Sequence, residues 1–302
     1  MSTWKGKTSA NVLGLKIFVF LINVGGLPAA YFLLRFVAGW YFLFAWSSSK
    51  FTWYYFHHRM GFTKFKSIRA LYNNYYVFGQ TLIDKVVMMS GAKNNFTFEF
   101  EGEEYLHEMA RNKTGGILIS AHLGNWEMAG HLLKRLDYKV NLVMFDAEHE
   151  RVKKVLSEVM TERKNLNIIV IKEDMSHIYA ISNAISNKEI LCMHGDRFVE
   201  GSKPVSVPLL GEEAYFPTGP FFLAARYNVP ISYVFAMKEN SKHYHFYATA
   251  PKVYTLERGP AKDQTYIKKL LSDYVVEFEK ILKMYPYQWF NYYDFWKKDV
   301  NS

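Results

Sequence analysis

No acidic residue precedes Asp84, although nine cations do: Lys5, Lys7, Lys16, Arg35, Lys50, Arg59, Lys64, Lys66 and Arg69. The same segment holds two uncharged, largely apolar runs, residues 17–34 and 36–49, divided only by Arg35. Surface this apolar must leave water for a core or a bilayer. A spanning helix takes about 20 predominantly apolar residues. The first run has 18 and is interrupted by Asn23, Gly25, Gly26 and Pro28, and the second has only 14. The pattern therefore favours one membrane-associated hairpin or a single tilted span over two full spans. Trp40, Tyr41, Trp46, Trp53, Tyr54 and Tyr55 suit the headgroup level, and the flanking cations suit an anionic cytoplasmic leaflet. A signal peptide fits poorly, because the apolar stretch is long, begins late and runs into another one. A buried core helix fits the same residues and stays open. Long apolar runs between the cations argue against a nucleic-acid footprint.

From Asp84 onward 28 cations balance 28 anions, so the net charge of +9 lies wholly in the first quarter of the 302 residues. The single cysteine, Cys192, excludes an intramolecular disulfide framework and any multi-thiolate metal site. A helix is expected over 70–90. Phe96, Phe98 and Phe100 alternate with Thr97, Glu99 and Glu101 as in a half-buried strand. A short helix near 103–111 leads to the continuous apolar run 116–120, suited to a central strand. Further strands are expected at 140–144, 167–171, 189–193, 231–237 and 244–250. Between them fall amphipathic helices around 152–160 and 178–185, and a long one over 266–285 that Pro286 stops. Strands alternating with helices predict an α/β fold, a mixed and largely parallel sheet sandwiched by helices, with the N-terminal helical segment on the membrane. The division is 1–69 for that segment and 70–302 for the α/β domain.

No G-x-G-x-x-G, P-loop or G-x-S-x-G follows any of these strands. Instead Ser120-Ala-His122-Leu-Gly-Asn-Trp-Glu127 follows the central strand. His122 and Glu127 would stand about 140° apart on a continuous helix, so they meet only if Gly124 bends the chain between them. Glu127 would then fix the imidazole and leave its other nitrogen to take a proton. A plain structural reading, with Glu127 as a charge at a helix N-terminus, fits the spacing equally. A metal site would need a third ligand that this motif does not supply. A second cluster, His194-Gly-Asp196-Arg197, follows the strand at 189–193, where open α/β sheets bind ligands. Downstream, Thr218 and Gly219 precede Pro220, whose helix N-terminus could face an anion or a thioester oxygen. A surface ion pair and an ordinary Pro-initiated helix are the alternative.

The order of these pieces resembles the bacterial lipid A late acyltransferase family of the lysophospholipid acyltransferase superfamily. The resemblance rests on the basic aromatic N-terminus, His122-Leu-Gly-Asn-Trp-Glu127 as H-x-x-x-x-[DE], an Asp after a later strand, Val207-Pro-Leu-Leu-Gly211, Phe216-Pro-Thr-Gly-Pro220 and Tyr285-Pro-Tyr-Gln-Trp289. It implies transfer of a fatty acyl group from an acyl carrier protein thioester to a hydroxyl of a membrane lipid, such as a lipid A precursor, at the cytoplasmic face of the inner membrane. His122 would be the base and Glu127 its partner, with neither cofactor nor metal and no nucleic acid. Arg197 would stabilise developing charge or an acidic headgroup, and Asp196 would orient Arg197 or the turn. The arginine such proteins carry after the next strand is missing from Val143-Met-Phe-Asp146, and Arg163 is the substitute on a basic helix that could also dock the acidic carrier protein. Gly195-Asp-Arg197 looks like a branch associated with aryl-polyene or flexirubin-type pigments and amino-acid lipids, so these or a lysophospholipid are alternative acceptors. A non-catalytic membrane-tethered binding protein is the remote alternative.

Overall fold

A computed structural model describes residues 12–89, 94–126, 128, 133–145, 165–171, 174, 176–198, 203–255 and 260–296. Its centre is a seven-stranded sheet. The strands are β1 (Thr97–Glu101), β2 (Gly116–Ser120), β3 (Val140–Phe145), β4 (Leu166–Ile171), β5 (Ile190–His194), β8 (Ile231–Lys238) and β9 (His243–Ala248), in the order β1-β9-β8-β2-β5-β3-β4. Every pairing is parallel except β8 with β9. The expected mixed, largely parallel sheet is thus present. The expected helix over 152–160 lies outside the described residues.

A strand buried on both faces reads as a continuous apolar run, and β2 is that case. Ile117 and Ile119 join the core under α6 (Gly219–Tyr227) and α7 (Pro260–Met284), while Leu118 joins Leu106 and Met109 of α4 (Glu103–Arg111) on the other face. On α7, Ile267, Leu270, Leu271, Tyr274, Val275, Phe278, Ile281 and Leu282 are all buried, as the 3.6-residue spacing requires. Each such side chain contributes roughly 1.5–3 kcal/mol of burial. Helix α5 (Ser176–Ser186) adds Ile181, Ala184 and Ile185 to the same core.

The N-terminal segment forms α1 (Val12–Phe44), α2 (Trp46–Tyr54), a π-helical turn (Tyr55–Arg59) and α3 (Lys64–Met89). Helix α1 is broken at Gly26, whose φ of 67° is left-handed, two residues before Pro28. Its two possible readings, membrane helix and core helix, describe opposite faces of the same element. Ala30, Tyr31, Leu34 and Ala38 are buried against α3 and the β8–β9–β1 edge. Phe20, Val24, Phe32, Phe36, Trp40 and Phe44 form an exposed apolar stripe on the far side. Ile17–Phe44 is, among the described residues, the one stretch of helix long and apolar enough to cross a membrane.

A two-stranded hairpin, β6 (Val205–Leu209) with β7 (Glu212–Phe216), was not foreseen as strands. Its turn places both Leu210 and Gly211 at positive φ. That geometry matches strand twist but normally selects Asn-Gly. Leu210 is held there by Glu279 of α7, whose carboxylate accepts its backbone N–H at 2.8 Å.

Candidate active site

The site follows from strand register. Strands β2 and β5 pair in parallel with Ser120 opposite His194, and Gly195 N–H extends the ladder to Ser120 O at 2.8 Å. His122 and Asp196 each stand two residues beyond that pair, so the sheet delivers them side by side at its C-terminal edge. From this edge the chain leaves in opposite directions. The crossover after β2 passes β5 to reach β3, while the one after β5 passes β2 to reach β8. Such a switch point is where open α/β sheets bind ligands.

Asp196 holds His122 twice. Its Oδ2 accepts the His122 backbone N–H at 3.0 Å, and its Oδ1 lies 2.9 Å from Nδ1 of the ring. Burial alone would raise the Asp196 carboxyl, but His122 beside it, then Arg197 and His194, hold it well below the usual carboxylate range. A depressed carboxyl stabilises the fold fully above its ordinary pKa, and that contribution is lost only as pH falls through the depressed value. Asp196 therefore stays anionic across the range in which imidazoles titrate. A proton on Nδ1 facing this anion leaves Nε2 as the basic nitrogen. Asp196, expected to orient Arg197 or the turn, is thus a direct partner of the imidazole.

The turn bearing His122 is clamped from two sides. Gly124 has φ 66°, and a Cβ there would come within 2.1 Å of Ala236 O, so only glycine fits. Asn125 N–H donates to that carbonyl at 2.7 Å. From the C-terminus, Phe290 N–H donates to His122 O at 3.1 Å, and Gln288 O accepts from Gly124 N–H at 2.9 Å. Gln288 is itself fixed by Lys238, whose backbone N–H and O bond its side chain at 2.9 and 2.7 Å. The Pro286-Tyr-Gln-Trp289 pattern therefore straps the turn bearing His122 onto β8, with Trp289 buried beneath it. On the other side, a side chain at Gly195 would come within 2.7 Å of Ile119 and 2.9 Å of the Tyr274 ring.

His194, whose position at a strand end by itself implies no role, stacks on His122 with ring centroids 4.3 Å apart and planes 29° off parallel. Trp126 meets His194 edge-on at 4.8 Å. The signal in the sequence was its place at a strand end two residues before Asp196, which becomes legible only once β5 is known to neighbour β2. His122, His194 and Asp196 bring ligand-type atoms to within 4.8 Å of one another. Two of the three potential ligands, His194 and Asp196, thus arrive from the C-terminal end of β5. Even so, tetrahedral zinc with bonds near 2.0–2.1 Å needs ligand atoms about 3.3 Å apart, so this trio would have to close up. Near-parallel stacking also aims the two rings alongside each other instead of at a common point.

Arg197 donates from Nη2 to Phe290 O at 3.3 Å, and its guanidinium lies 5.9 Å from the Tyr293 ring centre. Tyr293 in turn donates to Asp196 O at 3.4 Å. Thr218 and Gly219 stand at the start of α6, where the Thr218 hydroxyl donates to Lys203 O at 3.3 Å. Among the described residues neither makes a hydrogen bond to the His122 group. Glu127 and Arg163 lie outside the described residues. Burial pushes the Cys192 thiol up to about 12, which removes it as a thiolate nucleophile.

An imidazole oriented by a buried carboxylate at a sheet switch point has the chemistry to take up a proton. The family model of bacterial lipid A biosynthesis acyltransferases matches residues 66–298, and the chain belongs to that family. It is an acyltransferase acting on a lipid acceptor with an acyl donor. No curated protein matches the chain. Among solved structures it is similar to the 1-acyl-sn-glycerophosphate (LPA) acyltransferase PlsC from Thermotoga maritima, at 13% identity and a TM-score of 0.38, covering 82% of this chain and 98% of that one.

Proposed function

We propose that the protein transfers a fatty acyl group from an acyl carrier protein thioester to a hydroxyl of a lipid A precursor, in lipid A and lipopolysaccharide biosynthesis at the cytoplasmic face of the inner membrane. The observation that carries this reading is the His122–Asp196 pair at the sheet switch point, inside the span that matches the family. His122 Nε2 takes the acceptor's hydroxyl proton, and the oxygen attacks the thioester carbonyl. The tetrahedral intermediate collapses with cleavage of the C–S bond, and the departing thiolate takes the proton from the imidazolium. Asp196 keeps the ring oriented and stabilises its cationic form. Glu127, the carboxylate of the H-x-x-x-x-[DE] motif, also holds the imidazole, Arg197 and Arg163 bind acidic headgroup or donor phosphate, and Thr218 and Gly219 line the acyl-donor side. No cofactor or metal takes part, and nucleic acid is not a partner.

The test is purified full-length protein given acyl carrier protein thioester or acyl coenzyme A, with lipid mass spectrometry of a strain lacking the gene. Loss of one acyl chain from lipid A is the expected result. An unchanged lipid A with loss of an acylated amino-acid lipid, lysophospholipid or pigment lipid moves the acceptor, and release of free fatty acid alone overturns acyl transfer.

The division into a membrane segment, 1–69, and an acyltransferase domain, 70–302, is supported by the family match beginning at residue 66. Because α1 is docked through Ala30 to Ala38, its membrane contact rests on the exposed stripe and on the segment's cations other than Arg59, which pairs with Glu212 at 2.8 Å. Replacing Phe32, Phe36 and Trp40 together by serine is expected to abolish co-sedimentation with anionic phosphatidylglycerol vesicles without lowering the melting temperature. Undiminished sedimentation would place the anchor elsewhere.

A further inference from the structure

Acyl transfer by this site has a second requirement besides the base. As the acceptor oxygen attacks, the thioester carbonyl oxygen becomes an oxyanion, and donors aimed at that position commonly provide the largest single share of catalysis. Arg197 is a weak match for the task, because its guanidinium reaches the Phe290 carbonyl and the Tyr293 ring in the C-terminal strap. His194 is better placed. The attacking oxygen and the oxyanion are bonded to one carbon, closer together than a hydrogen-bond length. The group that deprotonates one and the group that donates to the other must therefore stand within a few ångströms. The His194 and His122 rings, with centroids 4.3 Å apart, meet that condition.

His194 is also built to be rigid. It ends β5 in register with Ser120, Trp126 closes on its ring from the catalytic turn, and the backbone beyond it is tied to β2 through Gly195 N–H. A donor fixed before the reaction costs no reorganisation when charge develops. The stacking also separates the two imidazoles chemically, since Asp196 engages His122 Nδ1 and thereby marks His122 as the base.

On the acyl-transfer reading above, we propose that His194 is a second catalytic histidine, whose ring N–H donates a hydrogen bond to the thioester oxygen as it becomes an oxyanion while His122 accepts the acceptor's proton. The carbonyl π pair moves onto oxygen as the new C–O bond forms, and returns as the C–S bond breaks. His194 keeps its own proton throughout.

The test compares His194→Ala, His194→Phe and His194→Gln in the full-length protein. Its readouts are steady-state transfer, slow thioester cleavage with water as acceptor, and melting temperature. Phenylalanine keeps the stacked ring and removes the donor, whereas glutamine removes the ring and keeps an N–H donor. The expected result is a kcat lowered about 100- to 1,000-fold in the Ala and Phe variants, the range for loss of one oxyanion donor. KM should stay within about threefold and thioester cleavage should fall in parallel, while Gln recovers most of the rate. Full activity of His194→Phe would reduce His194 to a packing residue while leaving acyl transfer intact. A uniform loss in all three variants would equally overturn the donor role. A wild-type protein that never cleaves an acyl thioester would overturn both this proposal and the acyl-transfer reading.

Discussion

Replacing His122 by alanine is expected to lower kcat/KM for acyl transfer by at least ~100-fold, the low end for general-base catalysis, with the fold retained but the melting temperature lowered. The second half of the expectation follows from the turn's construction. Its backbone stays held by Phe290, Gln288 and Ala236 and by the His122 N–H on Asp196, while the buried Asp196 carboxylate loses its imidazole partner and so some stability. Asp196→Asn should be comparably severe, between ~100- and ~10,000-fold, for a different reason. An amide at 196 can present its NH2 to Nδ1, forcing the tautomer that puts the proton on Nε2, the nitrogen meant to be basic. It also removes the anion that stabilises the imidazolium. Measuring Asp196→Asn beside Glu127→Gln separates the two carboxylates. If Asp196→Asn retains wild-type kcat/KM while Glu127→Gln is dead, the bond between Asp196 and His122 is structural and the motif acid alone supports the base. Full turnover by purified His122→Ala would end the general-base mechanism.

The two halves of this site differ in how well the sequence displays them. Local patterns reported their own elements faithfully: alternating phenylalanines in β1, the unbroken run of β2, and the 3.6-residue stripe of α7. Periodicity depends only on which face is buried. The pairing of His122 with Asp196 depends instead on β5 lying next to β2 in a given register, across 74 residues of sequence, and no local pattern carries that. The H-x-x-x-x-[DE] pattern names Glu127 as a partner of the imidazole, and Glu127 lies outside the described residues, whereas Asp196 is a partner that no local pattern announces. The β6–β7 hairpin was hidden for another reason. Its turn uses Leu210 at positive φ, which no turn rule anticipates, and its stabilising partner Glu279 lies on a helix far along the chain. The N-terminus shows a third kind of ambiguity. Apolar content fixed that α1 leaves water, but only packing shows that one face of it does so against the protein.

That packing produces the second large expected effect. Beneath α1, Asp84 of α3 and Lys238 of β8 form a buried ion pair at 2.5 Å, with Asp84 fully and Lys238 almost fully shielded from solvent. Tyr31 of α1 and Tyr244 of β9 both donate to the same carboxylate. Lys238 also donates to the Tyr31 hydroxyl and to Ser241 O, each at 3.2 Å. Burial pushes Asp84 up and Lys238 down from their ordinary values, against the attraction between them. Each charge is therefore tolerable only because the other is present. Asp84→Ala strands a buried ammonium and two hydroxyl donors, which should cost about 3–5 kcal/mol and lower the melting temperature on the order of 10 °C. Asp84→Asn keeps an acceptor for the tyrosines but still leaves Lys238 without its counter-charge, so it should fall between Ala and wild type. Adding Lys238→Met to Asp84→Asn removes the stranded charge, and the double variant should recover most of the loss, giving a coupling energy well above zero in a double-mutant cycle. The network reaches the turn bearing His122, since Asn125 donates to the Tyr244 hydroxyl and to Thr81 O, each at 3.3 Å. Asp84→Ala is accordingly expected to lose acyl transfer at temperatures several degrees below its global unfolding. Additive losses in the cycle, or an Asp84→Ala protein that melts like wild type, would show that Tyr31, Asp84, Lys238 and Tyr244 do not act as the joint between α1 and the sheet.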